Sequence, residues 1–214
     1  HEVIRLSGMN LIINDTDHPL IIKVASIQSA RVQVYFIDND DYFGKRLIEC
    51  DESGVEYEDN GERAIFFARG VLETVKKLRW VPDIIHCQGW MSSVVPFYVK
   101  TAYRDEPSFA ETKVVTSLFS KTLKDKFAGD FKQFVEFRDA KAELLGDYKD
   151  QFDFDELNKL AIGYSDGIIQ AAPDVEKSLI DFAAAKNVPV LGYNEDFADA
   201  YETFYESLFP DENE

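Results

Sequence analysis

Positive charge is scarce in this chain: 23 lysines and arginines stand against 40 aspartates and glutamates in 214 residues, a net charge of −17. Affinity for a phosphate backbone needs clustered Lys and Arg, so a nucleic-acid binder is excluded. Docking on an anionic membrane surface is disfavoured for the same reason. Long apolar runs are lacking too. None reaches the about 18 residues of a membrane span, and no basic-then-apolar segment of the secretory kind opens the chain. Cysteine is nearly absent. Cys50 and Cys87 stand alone, neither in a CxxC pair, which argues against a zinc site or a redox dithiol. Two lone thiols in an acidic chain fit a reducing cytoplasm, the expected location. No GxGxxG, Walker or GxSxG sequence occurs. No cofactor and no metal centre are therefore expected.

What is present reads as α/β. Hydrophobic residues make up 45% and charged residues 29%, ordinary for a globular protein, and 214 residues suffice for one domain with its own core. Val3–Leu6, Leu11–Ile13 (closed by Asn14-Asp15), Leu20–Ala25 and Val32–Ile37 are rich in β-branched and aromatic residues and read as strands, with a turn signal at Asp17-His18-Pro19. An acidic loop follows from Asp38 to about Asn60. Asp59 with Glu62 has capping-box spacing, and Ile65, Ala68, Leu72 and Val75 then recur at helical intervals. Beyond residue 61 helices and strands alternate. Strands are expected at Ile84–Cys87, Lys113–Ser117, Gly167–Gln170 and Val188–Leu191. Helices are expected at Trp90–Lys100 (kinked at Pro96), Phe154–Tyr164, Pro173–Ala185 and along the face Phe197, Tyr201, Phe204, Leu208. That rhythm predicts a doubly wound, mostly parallel, Rossmann-like sheet. Residues 121–151 read as a surface insertion with some helix.

Ligands of doubly wound sheets bind at the carboxyl ends of the strands. The sharpest such place is His86-Cys87-Gln88-Gly89-Trp90, where a strand ends, a glycine turns and a helix is expected to present its N–H groups. His86 is a candidate catalyst, though a lone histidine is more often a satisfied core group. Cys87 alternates to the other face, so the two cannot share a metal. Asp38, Asp40 and Asp41 are candidate acids, bases or ligands, or simply a solvated loop. Arg63 and Lys45 are the candidate cations, or ordinary surface and capping residues.

At these residues the sequence resembles a known family. Pro82–Lys100 is similar to PDVVHCHDWHTALVPVYLK of bacterial glycogen/starch synthases. Val34–Asn39 with Tyr42-Phe43 resembles that family's VYFIDNPEYF, and Asp59–Phe67 its DNDERFIFF. Ser165–Ile169 resembles the ADxITTVSP strand, with Pro173 at the family's proline. Matches in consistent order cover 32–100; the likeness is weaker from 101 to 214. The resemblance implies the N-terminal, acceptor-side half of a GT-B fold of glycosyltransferase family 5, as a single domain over 1–214. It implies transfer of glucose from ADP-glucose to an α-1,4-glucan. The implied sugar-site candidates are His86, Gln88, Gly89, Trp90, Asp59, Asn60, Arg63 and Asp38.

Departures qualify that implication. The family's His-Asp of HDW falls on Gln88-Gly89, and Gln cannot shuttle a proton. Ser117–Ser120 stands where the family has TIHN. The KxGGL nucleotide-sugar loop does not occur, and because the chain opens on His1 rather than Met, that loop and the first strand are expected upstream. No room remains for the family's C-terminal domain, whose cations hold the diphosphate. Two readings follow: a glucosyltransferase domain that is not self-sufficient, or a non-catalytic glucan-binding or regulatory relative. The expected partners are ADP-glucose or α-glucan, and a complete synthase or a separate C-terminal half.

Overall fold

The computed structural model describes residues 1–211. Two sheets organise the chain. The first is antiparallel: β1 (Ile4–Ile13), β2 (Thr16–Ile27) and β3 (Val32–Asp38) pair in sequence order. The two apolar runs at its start form one strand, with a register shift between Arg5 and Ser7. The β1–β2 turn is two residues long, Asn14 and Asp15, both at positive φ (50° and 59°). Such turns match the right-handed twist of the strands, and Asn and Asp tolerate that backbone.

Leu11, Ile13, Leu20 and Ile22 bury one face of this sheet against α2 (Asn60–Lys77). The approach is close. A Cβ on Gly70 would stand 2.5 Å from Ile37 Cγ2, so glycine is what lets helix and strand touch.

The second sheet is parallel, in the order β4 (Ile84–Gln88), β5 (Lys113–Leu118), β6 (Gly167–Gln170), β7 (Val190–Leu191). Helices lie on both faces, as the alternating rhythm predicts. On one side Leu118, Ile162, Ile168 and Leu179 pack together, joining the sheet to α5 (Phe154–Gly163) and α6 (Lys177–Ala185). On the other, Val115 and Ile169 meet Phe204 of α7 (Phe197–Ser207). No helix among the described residues is long and apolar enough to cross a membrane.

Four local expectations are corrected. The turn expected at Asp17-His18-Pro19 is strand, paired with Asn10–Ile12 of β1, because Asn14 and Asp15 accept the positive φ of a tighter turn. The helix expected from Trp90 is a 3-10 turn, Trp90–Ser92, followed by α3 (Val95–Lys100), so Pro96 sits in the first turn of α3 and kinks nothing. Its missing N–H is one of the unpaired donors there in any case. The helix expected from Pro173 starts at Lys177. Residues 121–151 are no mere surface insertion. Besides the one-turn α1 (Asp40–Phe43), their α4 (Phe131–Phe134) is the shortest α-helix of the fold, yet Phe127, Phe131, Val135 and Leu145 are buried there, and Phe131 stacks on Phe152 at 4.3 Å. Aromatic rings can fill a core edge to face without periodic backbone, which is why no period marks them.

Candidate functional site

The carboxyl ends of β4 and β5 open into a crevice of about 270 Å³ whose walls include Glu49, Gly89, Trp90, Ser117, Ser120 and Asn158. Gly89 makes the turn. Its φ and ψ are 81° and 158°, a region open essentially to glycine alone, and a Cβ there would meet nothing within 4 Å. The turn is locked by Ser92, whose Oγ donates to the Gln88 and Gly89 carbonyls at 3.1 and 2.9 Å. Gln88 is exposed at the lip. Trp90 is 5% exposed, and its buried Nε1 has no hydrogen-bond partner among the described residues. No lysine or arginine lines the crevice.

His86 stands one bond behind this wall. Its Nε2 lies 2.6 Å from Ser117 Oγ, and its Nδ1 is hydrogen-bonded to the Tyr205 hydroxyl of α7. Tyr201 and Tyr205 both meet the ring edge-on, at 5.9 and 5.7 Å. Burial holds its pKa below the usual imidazole value, so the ring is neutral at pH 7. Cys87 points to the opposite face, where burial pushes its thiol up to about 12 and keeps it inert.

Asp59, Asn60 and Arg63 act one step further back, on the loop 44–59 that carries Glu49 to the crevice. Arg63 is 2% exposed. Its guanidinium donates to the carbonyls of Tyr42, Leu47 and Ile48 at 2.9, 2.9 and 2.6 Å, and to Asn60 Oδ1 at 2.8 Å. Asn60 Nδ2 donates to the Glu49 carbonyl at 3.0 Å. Asp59 does not close the expected capping box. Its carboxylate takes Arg46 in a two-bond fork (2.5 and 2.9 Å), and no side-chain bond caps α2. Arg46 in turn lies 4.2 Å over the Tyr57 ring. Both arginines are thus spent on the protein itself.

Asp38 stands apart from the crevice, paired with Lys23 at 2.8 Å. Asp40 and Asp41 occupy the first turn of α1, where the N-terminal dipole favours acids. Among the described residues no group of three or more His, Cys, Asp or Glu side chains could hold a metal ion.

Glu49, Asn158 and Tyr205 carry no local signal that reveals them. Asn158 reaches the crevice only because α5 runs beneath β5. Tyr205 is readable only as the helical neighbour, four residues on, of Tyr201.

Three comparisons bear on this site. A sequence model described as the starch synthase catalytic domain matches residues 1–186. The glycogen synthase of Chlorobium limicola is 37% identical over 119 residues, 55% of this chain and 24% of that protein. That of Chlorobaculum parvum is 30% identical over 182 residues, 84% of this chain and 36% of that protein. The chain therefore spans well under half the length of these curated relatives. In fold it resembles the catalytic domain of starch synthase IV from Arabidopsis thaliana, solved bound to ADP and acarbose. That match has a TM-score of 0.64 at 16% identity and covers 90% of this chain and 40% of that one.

Proposed function

Since the chain belongs to the starch synthase catalytic-domain family, we propose that it is the acceptor-side half of a GT-B glucosyltransferase, a single unit that holds α-glucan and does not itself transfer glucose from ADP-glucose. One observation carries this reading: among the described residues the crevice is walled by aromatic rings, hydroxyls, an amide and Glu49, with no cation. The Ser117 and Ser120 hydroxyls, each with one protein partner and acceptor capacity to spare, and Gln88 at the lip suit the hydroxyls of a neutral sugar, and the exposed Phe119 ring suits its apolar face. Breaking a nucleotide-sugar bond needs positive charge at the departing diphosphate. The nearest arginines, Arg46 and Arg63, are fully engaged with Asp59 and the loop carbonyls.

In this reading His86 positions Ser117 rather than acting on substrate. Its two ring nitrogens are already occupied, and as a neutral imidazole it holds the Ser117 hydroxyl by one of them. Loop 44–59 supplies the side wall through Glu49.

The test has two arms. Titration of the purified chain with maltoheptaose should give saturable binding, and incubation with ADP-[14C]glucose and glycogen should incorporate no label. Label in the polymer would overturn the statement on transfer. Absence of any binding at millimolar oligosaccharide would overturn the statement on glucan.

A further inference from the structure

A second cavity, of about 420 Å³, lies between the end of the 121–151 segment and helices α5 and α6. It is larger than the crevice and within the usual range for small-molecule sites. It also uses another side of α5. Phe154 and Asn158 face the crevice, whereas Glu156, Lys159 and Gly163 face this cavity; at 100° per residue these two sets lie on nearly opposite sides of the helix.

Its walls combine aromatic rings with ammonium groups. Tyr148, Tyr164 and Phe182 supply the rings. The ammonium groups of Lys159 and Lys186 both converge on Phe182, at 5.9 and 5.5 Å from its centroid. Lys149 completes the set. Two carboxylates share the cavity, Asp147 and Glu156, so three lysines leave the wall net positive by one. Glu156 is already neutralised: it is 3% exposed, accepts the Lys149 backbone N–H at 3.1 Å and takes Lys159 at 3.4 Å. Lys149 and Lys186 form no ion pair among the described residues, in a chain with 40 carboxylates available to pair them. The room itself depends on Gly163, where a Cβ would stand 2.7 Å from the Tyr148 hydroxyl.

We propose that this cavity binds a small organic phosphate, its phosphate on Lys149 and Lys186 and its ring among Tyr148, Tyr164 and Phe182. Lysine is a point-charge binder of phosphate. A positive concavity in a protein of net charge −17 is where an anion would gather rather than be repelled. Aromatic faces accept the flat side of a sugar or a base. The ring can be a sugar or a nucleobase, and the probes separate these.

The experiment is calorimetric titration and thermal melting of the purified chain with glucose 6-phosphate, AMP, orthophosphate and the neutral control maltotriose. At least one ring-bearing phosphate should bind saturably and raise the melting temperature. The exposed double variant K149Q/K186Q should weaken that binding at least about tenfold, a loss of about 1.4 kcal/mol, without lowering the melting temperature of the unliganded chain. Glucose 6-phosphate binding alone would identify a sugar phosphate; AMP alone, a nucleotide. The proposal is overturned if no phosphate binds at millimolar concentration, if orthophosphate binds as well as the ring-bearing esters, or if the double variant binds unchanged. Binding of maltotriose here, detected as binding that survives Gln88→Ala but not Gly163→Leu, would also overturn it in favour of a neutral sugar. Because the crevice is probed by Gln88→Ala, failure here leaves the glucan reading standing, and the reverse.

Discussion

Loop 44–59 and the crevice it borders use their polar groups differently. Around the loop both arginines are committed: Arg63 to three carbonyls and Asn60, Arg46 to Asp59 and the Asp41 carbonyl. In the crevice, at the ends of β4 and β5, Ser117 and Ser120 hold one protein partner each, His86 and Asp174, and the Gln88 side chain stands exposed at the lip with none among the described residues. Saturated polar groups rigidify a fold, whereas unsaturated ones in a concavity are left for a ligand. The difference teaches that the charged residues matching the family motif here, Asp59 and Arg63, serve shape, while the open space is walled by Glu49 and by uncharged groups.

The largest effect should come from the closed side. Arg63→Met leaves the buried Tyr42 carbonyl without its donor, at about 1–3 kcal/mol, and releases the Leu47 and Ile48 carbonyls of two exposed residues, which water can reach. A total loss of about 2–4 kcal/mol is expected in urea unfolding. A loss under about 1 kcal/mol would break the contrast, because the loop would then not depend on its arginine.

On the open side Gly89→Ala should cost about 1–3 kcal/mol through backbone strain alone, since no atom obstructs the new methyl. A denaturation midpoint equal to wild type would show that the turn relaxes to another conformation.

A smaller effect lies between the two regions, at His86. Burial lowers its folded pKa, so the unfolded chain takes up the proton first as pH falls. The contribution is therefore whole above about pH 6.5 and declines as pH drops through that value toward the folded pKa. The urea midpoints at pH 7.5 and 5.5 should differ more for wild type than for His86→Gln. Equal pH responses of the two proteins would remove the histidine from the account.

The smallest effect on stability should be Gln88→Ala, within about 0.5 kcal/mol for an exposed side chain, accompanied by weakened maltoheptaose binding in titration. Unchanged affinity would mean that the lip does not touch the glucan.

Much of the fold is legible in the residues. The parallel sheet follows from the alternation of helices and strands beyond residue 61, although the turn signal at Asp17-His18-Pro19 falls three residues beyond the turn that Asn14 and Asp15 make. Less of the site is. The helix expected at Trp90 fails because Gly89 and Ser92 close a tighter turn, a choice made by one hydroxyl finding two carbonyls. The capping box at Asp59 fails because Arg46, 13 residues earlier, offers two charge-assisted bonds in place of one backbone N–H. The segment 121–151 hides its share of the core because its buried aromatics follow no period.

Periodicity and turn chemistry are local, set by side chains within a few positions of one another, and they suffice for the elements, their order and the family likeness of 32–100. Whether a polar group is free or spent is not local. Arg63 is separated by 21 residues from Tyr42, and His86 by 119 from Tyr205, and only the folded packing brings those partners within bonding distance. The same hydrogen bonds that close the arginine-held loop therefore decide, from far along the chain, which groups remain to meet a ligand.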